Sequence, residues 1–294
     1  MKLLVAIDGS TQSMNAVHAL AHFKPPEELT LVHALTLPEL DHPMITSEVR
    51  DQVRDNIEKQ LRQKGNALLT NAVQDLPRDF GPAQQIHQIG SPAQVILETA
   101  QSALPDVILI GARGLGKMKE LLLGSVSHRT VLHAPCSTVI FKDPLASLRK
   151  ILLPVEGEED AHVAFKFLAE KPFRESVEIQ LMLVWPQPQT PWPITLGQSK
   201  LIEEHAITHA QEQLDSLTVK LGTMGYPATS YVGLGDPSYA ILEQQRANKA
   251  DMIMMGSHGR HGISRFLLGS VSHSVLHQAD CPVFIVREAQ YGTT

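Results

Sequence analysis

Hydrophobic and polar positions along the first half of the chain form two alternating patterns. Short apolar runs rich in Val, Ile and Leu predict buried strands at Lys2–Ile7, Leu29–Ala34, Gln84–Ile89, Asp106–Ile110 and Ser137–Phe141. Between them, apolar residues at three- and four-residue spacing predict helices at Ser10–Phe23, Thr46–Gln74, Pro92–Ala103 and Ser125–His133. Strands that alternate with helices form a parallel sheet through right-handed crossovers. We therefore predict an α/β, doubly wound fold with helices on both faces of the sheet.

The second half of the chain repeats the first. Asp106–Gly114 aligns with Asp251–Gly259, and Leu122–His128 is identical to Leu267–His273, at one offset of about 145 residues. A seven-residue identity in register is difficult to attribute to chance. Each copy is too long for a solenoid unit and has the size of a complete domain. The sequence therefore predicts two tandem domains of the same fold.

The starts of the two copies also align and locate the boundary between them. Leu3–Gly9 resembles Ile151–Gly157, and the short segment Asp143–Ser147 lies between two apolar runs. We predict a first domain at residues 1–144 and a second at residues 145–294.

Composition and charge exclude several functional classes. The 294 residues are 43% hydrophobic and 19% charged, and the net charge is −6. Such a chain can build a core, but it offers no overall basic field for a nucleic acid or an anionic lipid surface. No apolar run approaches the length of a membrane span. Cys136 and Cys281 are far apart, which favours a reducing compartment, so we expect a cytoplasmic protein without a nucleic-acid or membrane partner.

Each copy carries glycines where the fourth strand ends and where the last helix begins. The pattern is Gly-x2-Gly-x9-Gly-Ser, formed by Gly111, Gly114, Gly124 and Ser125 in the first copy and by Gly256, Gly259, Gly269 and Ser270 in the second. Ligands of doubly wound folds bind at the carboxyl ends of the strands. Glycine allows close backbone approach to an anion, and a helix start supplies unpaired N–H groups. The pattern therefore predicts a phosphate-binding loop.

A simpler interpretation is that the glycines only form tight turns. For a single glycine pair this interpretation would be preferred. The recurrence of the whole pattern in both copies favours the ligand-binding interpretation.

These motifs resemble the universal stress protein family in its tandem two-domain form. The resemblance rests on strand–Asp8-Gly9-Ser10, on the Gly90-Ser91-Pro92 turn and on the glycine pattern followed by Val126-Ser127. It implies a five-stranded parallel sheet of order 3-2-1-4-5, a cytoplasmic location and association through the last strand. In one subgroup of the family it also implies ATP binding.

The resemblance assigns candidate nucleotide-binding residues in the first copy. Asp8 would face the adenosine, Ala34 would offer its backbone to adenine, and the glycine loop would hold ribose and phosphates. The set expected to bind ATP, with Mg²⁺ as its possible companion, is Asp8, Gly9, Ala34, Gly111, Gly114, Gly124, Ser125 and Val126.

The second copy keeps the glycine loop but departs from the motif elsewhere. Glu156 replaces the aspartate, Val184 stands for Ala34, and three acidic residues follow at 158–160. The extra methylene and the added negative charge disfavour a phosphate there. The less favoured second set is Glu156, Val184, Gly256, Gly259, Gly269, Ser270 and Val271.

Other chemistries receive less support from the sequence. No nucleophile or acid–base pair recurs at the crevice, so we expect no catalytic residue, and an adenylyl transferase would need histidines after the first strand. Histidine pairs at His205/His209 and His273/His277 have the spacing of metal ligands but lack further ligands, so we expect no metal site. A stress adaptor that binds a protein or a different small molecule remains the alternative.

The last strands suggest how the domains associate. Ser137–Phe141 and Val283–Val286 are predicted edge strands, and an edge strand gains from pairing. We expect the two domains to pair within one chain as a pseudo-dimer, which can dimerise again as a homodimer.

Overall fold

The chain divides into two compact units, each with its own parallel sheet. The computed structural model describes residues 1–38, 46–114, 123–186, 196–257 and 268–291, with only the backbone described for 196–199. Within these residues, one unit comprises 1–114, 123–144 and 289–291, and the other comprises the described part of 145–288.

The first unit alternates strands and helices as its hydrophobic pattern predicts. Its elements are β1 Lys2–Ala6, α1 Thr11–His18, β2 Glu28–Leu35, α2 Ser47–Gln74, β3 Gln84–Ile89, α3 Pro92–Ala103, β4 Val107–Gly111, α4 Ser125–His133 and β5 Ser137–Phe141. The strand bounds differ from the predicted ones by one residue at most. The predicted helix at Ser10–Phe23 is shorter than expected, because it tightens into a 3₁₀ turn from Ala19 to His22.

The sheet of the first unit has the order β3-β2-β1-β4-β5, with every neighbouring pair parallel. This is the order that the family resemblance implies. Leu3 pairs with Leu29 on one side and with Val107 on the other, which makes β1 the central strand. The side chains of Leu3, Leu4 and Val5 are almost wholly buried and lie in the core.

The second unit repeats this architecture. Its elements are β6 Lys150–Pro154, α5 Glu158–Ala169, β7 Glu178–Trp185, α6 Leu196–Thr223, β8 Ala228–Leu234, α7 Pro237–Asn248, β9 Met252–Gly256, α8 Ser270–Gln278 and β10 Val283–Val286. Its strands pair in the equivalent order β8-β7-β6-β9-β10, again all parallel. The α/β doubly wound fold expected from the sequence is therefore present twice.

One aspartate in each unit joins the starts of its two central strands. The carboxylate of Asp106, just before β4, accepts the N–H of Lys2 at 2.7 Å. Asp251, just before β9, accepts the N–H groups of Arg149 and Lys150 at 2.8 and 2.9 Å. The sequence repeat thus preserves a side-chain contact as well as the chain path.

The last described residues pack on the first unit, although the sequence places all of 145–294 in the second domain. The Gln290 N–H donates to Pro135 O at 2.6 Å, and the Tyr291 hydroxyl donates to Pro105 O. Burial of this hydroxyl raises the pKa of Tyr291 well above its usual range. This packing could not be predicted from the sequence, because residues 289–291 are too few to show a periodic pattern of hydrophobic positions.

No helix in the described part of the chain has the length and apolar character needed to cross a membrane. Cys136 and Cys281 are buried thiols.

We expect the Asp236→Ala variant to lose about 1 kcal/mol of unfolding free energy. Asp236 caps α7, because its Oδ1 accepts the Tyr239 N–H at 2.9 Å and the Ser238 hydroxyl at 2.5 Å. These bonds lower the pKa of Asp236 from 3.8, so its contribution is present above that pH and is lost as the pH falls through the lowered value. Urea unfolding at pH 7 and pH 3 measures both effects.

The matched control is Ser91→Ala at the same position of α3. Ser91 makes no side-chain capping bond, so its replacement leaves stability unchanged within about 0.5 kcal/mol. Equal losses in the two variants would refute the capping role of Asp236.

Candidate functional site

The candidate site lies where the strand order of the first sheet reverses. The chain leaves β1 toward β2 on one side, while β4 lies on the other side of β1. This reversal opens a crevice at the carboxyl ends of β1 and β4. Asp8 and Gly9 follow β1. Gly111 is the last residue of β4, and Gly114 lies in the loop that follows it. Ala34 lies near the end of β2, level with Asp8 by the strand register.

The Asp8 carboxylate is fixed by the start of α1. The Ser10 N–H and hydroxyl both donate to Asp8 Oδ1, at 2.9 and 2.6 Å. The Ser10 Oγ in turn accepts the Ser13 N–H at 3.2 Å, which caps α1. Gly9 between them has a φ of +82°, a conformation that favours glycine. Asp8 Oδ1 therefore accepts both hydrogen bonds from Ser10. These bonds fix the carboxylate group and so orient its second oxygen, Oδ2.

Asp8 Oδ2 lies against Gly114, where there is no room for a side chain. A Cβ built on Gly114 would lie 2.2 Å from Asp8 Oδ2, far inside any normal contact. The loop after β4 therefore lies directly against the carboxylate, and any larger residue would displace it. The structure thus brings together Asp8 and Gly114, two residues of the set that the resemblance assigns to a nucleotide.

Gly111 has a different and structural reason to be glycine. Its Cβ would lie 2.7 Å from the backbone of both Gln12 and Ser13 in α1. The backbones of α1 and β4 therefore meet at this point, and the Gly111 carbonyl accepts the Ser127 hydroxyl at 2.6 Å. These contacts explain Gly111 through packing, whereas the sequence assigned it to the nucleotide.

The start of α4 is open, in contrast to the capped start of α1. Gly124 is its N-cap residue and supplies no side-chain capping bond. The Gly124 N–H donates to Ala112 O at 2.8 Å, which joins the start of α4 to the residue after β4, and Ser125 is exposed. The first N–H groups of a helix have no partner within it, so those of Ser125 and Val126 are available to an anion.

The second unit retains this helix start. The Gly269 N–H donates to Ser257 O at 2.8 Å, and the Ser272 hydroxyl donates to Gly256 O at 2.9 Å. Ser270 is exposed and Val271 is half-buried in the first turn of α8. Gly259 lies outside the described residues.

The second unit differs after its first strand. Glu156 is exposed, and its N–H donates to Asp160 Oδ2 at 3.1 Å. An acidic side chain therefore accepts a hydrogen bond here, where the first unit has the hydrogen bonds of its serines. Glu158 pairs with Lys220, and this hydrogen bond lowers the pKa of Glu158. The first turn of α5 thus holds three acidic residues, while that of α1 holds none.

The register also confirms the alignment of Val184 with Ala34. Ala34 pairs with Gln88 on β3, and Val184 pairs with Gly233 on β8. A Cβ on Gly233 would meet Val184 Cγ2 at 3.4 Å, so the larger valine fills space beside that glycine.

The contacts of the serines that assemble the loops were not predicted from the sequence. Ser10 caps α1, and the Ser13 hydroxyl donates to the Ser10 carbonyl. Ser127 and Ser272 tie their helices to the ends of β4 and β9. A usable signal was available, because Ser127 and Ser272 both lie in the block that is identical between the copies.

The paired histidines of the second unit make local contacts. The rings of His273 and His277 lie 4.4 Å apart on one face of α8. His205 Nδ1 lies 3.0 Å from the carbonyl of Leu201, and His209 Nε2 lies 2.9 Å from Gln213 Nε2. On α6 the spacing is therefore accounted for by contacts within the helix.

Comparison with known proteins gives matches over almost the whole chain. The model of the universal stress protein family matches twice, at residues 1–142 and 147–287. A universal stress protein of Mycobacterium tuberculosis strain H37Rv is 24% identical over 303 residues, covering 98% of this chain and 96% of that protein. Universal stress protein YxiE of Bacillus subtilis is 31% identical over 145 residues, covering 48% of this chain and 98% of that protein.

A solved structure supports the two-domain fold. A universal stress protein from Archaeoglobus fulgidus superposes with a TM-score of 0.68 at 20% identity, covering 98% of this chain and 96% of that one. At this identity the likeness concerns the fold alone.

We expect Gly111→Ala to lower the unfolding free energy by about 2 kcal/mol, because the added Cβ overlaps the backbone of α1. Gly81→Ala is the control, since a Cβ there meets no described atom within 4 Å, and we expect a change below about 0.5 kcal/mol. Urea unfolding compares the two variants. A Gly111 variant as stable as the control would contradict the packing role.

Proposed function

This chain belongs to the universal stress protein family, and on that basis we propose that its first domain binds ATP or a related adenine nucleotide. The observation that carries the proposal is the open start of α4 beside Asp8 and Gly114. Loop and helix backbone there offer N–H donors and a positive dipole end to an anion.

The contacts of the first domain suggest how the nucleotide would lie. The N–H groups of Ser125 and Val126, with the loop at Gly114 and Gly124, would bind the phosphates. Asp8, whose Oδ2 lies against Gly114, would face the ribose and adenine. Ala34, level with Asp8 on the next strand, would offer its backbone to the base. A Mg²⁺ ion would enter with the phosphates, whose negative charge it offsets.

We assign a weaker nucleotide site, or none, to the second domain. Its loop at Gly256 and Gly269 has the same backbone contacts as the first. Three acidic residues in the first turn of α5 and the exposed Glu156 place negative charge near the carboxyl end of β6. That charge opposes a phosphate group more strongly than the neutral start of α1 does.

Such a site fits a regulatory protein whose associations depend on whether a nucleotide is bound. A bound nucleotide would contact the ends of β1 and β4 and the start of α4, and would thereby change how the protein associates with itself or with partners in the cytoplasm. In this proposal the protein is a binding protein rather than an enzyme.

The variant Ser125→Asp tests the phosphate site without harming the helix. An aspartate in the first turn favours helix formation, but its charge would repel a phosphate at the same N–H groups. We expect calorimetric ATP affinity to fall at least about tenfold, which corresponds to about 1.4 kcal/mol. The unfolding temperature should stay the same or rise slightly.

The matched variant is Ser270→Asp in the second domain, for which we expect little change in ATP affinity. The absence of ATP-binding heat in the unmodified protein would refute the proposal. Mass spectrometry of small molecules that copurify would then identify the ligand of the alternative, a stress adaptor that does not bind nucleotides.

We further propose that the two domains pair through their last strands, with a homodimer as a second level of assembly. Within its own unit each of these strands has one described neighbour, β4 for β5 and β9 for β10. Every residue of both strands is buried and most are apolar, and an apolar edge strand favours association.

Amide exchange measured by NMR tests the pairing. In a strand bonded on both sides every amide is protected, whereas an open edge leaves alternate amides exposed. We expect slow exchange for all amides of Ser137–Phe141 and Val283–Val286. Fast exchange at alternate positions would contradict the pairing.

A further inference from the structure

Two histidines of the first unit face each other beside the candidate site. His33 on β2 and His87 on β3 are register partners, and their ring centroids lie 5.3 Å apart. His33 directly precedes Ala34. Its Nδ1 lies 2.7 Å from the carbonyl of Ile7, the residue before Asp8. The pair is therefore bonded to the end of the strand that presents Asp8.

Helix α2 crosses both rings at a glycine. A Cβ on Gly65 would lie 2.3 Å from His87 Nε2 and 2.8 Å from His33 Cδ2. A glycine inside a helix costs about 1 kcal/mol relative to alanine, so its presence here needs a reason, and the two rings supply one. One turn later Leu68 Cδ1 lies 3.4 Å from the Cβ position of Gly9. Helix α2 thus contacts the histidine pair and the Asp8 turn within a single turn of helix.

The hydrogen bonds indicate the positions of the ring protons and show that the His87 ring is neutral. A carbonyl can only accept, so His33 Nδ1 carries a proton and donates to Ile7. His87 Nδ1 lies 3.1 Å from Asn66 Oδ1, which assigns its proton to Nδ1 as well. His87 Nε2 is buried against Gly65 and has no hydrogen-bond partner among the described residues. A bare lone pair is tolerable there, whereas a protonated N–H would lack an acceptor.

The surrounding charges also oppose protonation. Burial lowers the pKa of His87, and the charges of His33 and Arg62 lower it further. Arg62 lies on α2 and pairs with Glu58 at 2.7 Å. The other groups that contact the pair from β1 and α2 are the neutral Ile7 carbonyl and Asn66 amide.

We propose that His33, His87 and Gly65 form a positioning cluster that makes the nucleotide site of the first domain sensitive to acid. With the His87 ring uncharged, α2 packs closely on β2 and β3 and supports the Asp8 turn through Leu68 and Ile7. Protonation of His87 inserts charge under Gly65, loosens α2 and releases the turn. The expected effect of acid on nucleotide binding rests on the proposed nucleotide function, whereas the loosening of α2 by acid does not.

The second unit is a built-in control for this cluster. The register partners at the corresponding places on β7 and β8 are Leu183 and Val232. Helices α2 and α6 both have 28 residues, and the residue of α6 at the place of Gly65, counted from the helix start, is the wholly buried Leu214. These aliphatic side chains do not titrate, so the second unit should lack the response to acid.

Hydrogen exchange of the ligand-free full chain tests the cluster directly. A histidine that is not protonated in the closed form and has the ordinary pKa of 6.5 in the open form raises the opening equilibrium about fivefold between pH 6.5 and pH 5.5. After correction for intrinsic exchange rates, we expect α2 amides at residues 65–69 to open about fivefold more at pH 5.5 than at pH 6.5. The amides of α6 near Leu214 should change less than twofold.

The double variant His33→Leu/His87→Val, which introduces the residues of the second unit, should abolish the response of α2. The variant His33→Gln/His87→Gln keeps polar side chains and serves if the aliphatic variant folds poorly. An unmodified response in both variants, or an equal response in α6, would overturn the proposal.

ATP titrations at pH 7.5 and 5.5 then test the link to the ligand. The nucleotide phosphate also titrates near pH 6, so the comparison is between the unmodified protein and the glutamine variant at each pH. We expect affinity to fall at least about threefold more in the unmodified protein. An equal fall would overturn the link. Exchange that responds to acid without any ATP binding would contradict the proposed function alone.

Discussion

The close approach of two loops at the carboxyl ends of β1 and β4 is the constraint on which the site depends. The backbone at the start of α1 meets Gly111, and the Asp8 carboxylate meets Gly114, at distances that leave no room for a Cβ. The Ser10 network and the Ser127 hydroxyl then fasten α1 and α4 to these glycines. Every candidate ligand contact in the first domain depends on this junction.

The junction leaves the two helix starts in opposite states. Ser10 caps α1, whereas Gly124 leaves α4 uncapped. Serine or aspartate at these N-caps would stabilise the helices by only a few tenths of a kcal/mol more than glycine does. Glycine at Gly124 and Gly269 therefore costs little stability and leaves the helix start open to a ligand. The second unit keeps this open start and changes the charge around it.

Much of the fold could be predicted from the sequence because hydrophobic periodicity and the repeat are local or linear signals. The strand bounds and the two copies belong to this class, whereas the contact between Asp8 and Gly114 was not predicted. The role of Gly111 could not be predicted, because a glycine chosen for helix packing looks the same in sequence as one chosen for a ligand. The contact between His33 and His87 could not be predicted from the sequence either, since the two residues become neighbours only through the register of β2 and β3. The packing of Tyr291 on the first unit depends on a contact 186 residues away in sequence.

Binding of an adenine nucleotide's phosphates at the open start of α4 can be observed by NMR, because backbone amide shifts recorded during an ATP titration report each N–H group separately. We expect the largest shifts at Gly114, Gly124, Ser125 and Val126, with smaller shifts at the capped start of α1 and at Ser270. If the amides in the first turn of α4 stay unchanged, whether or not others shift, the phosphates do not bind there.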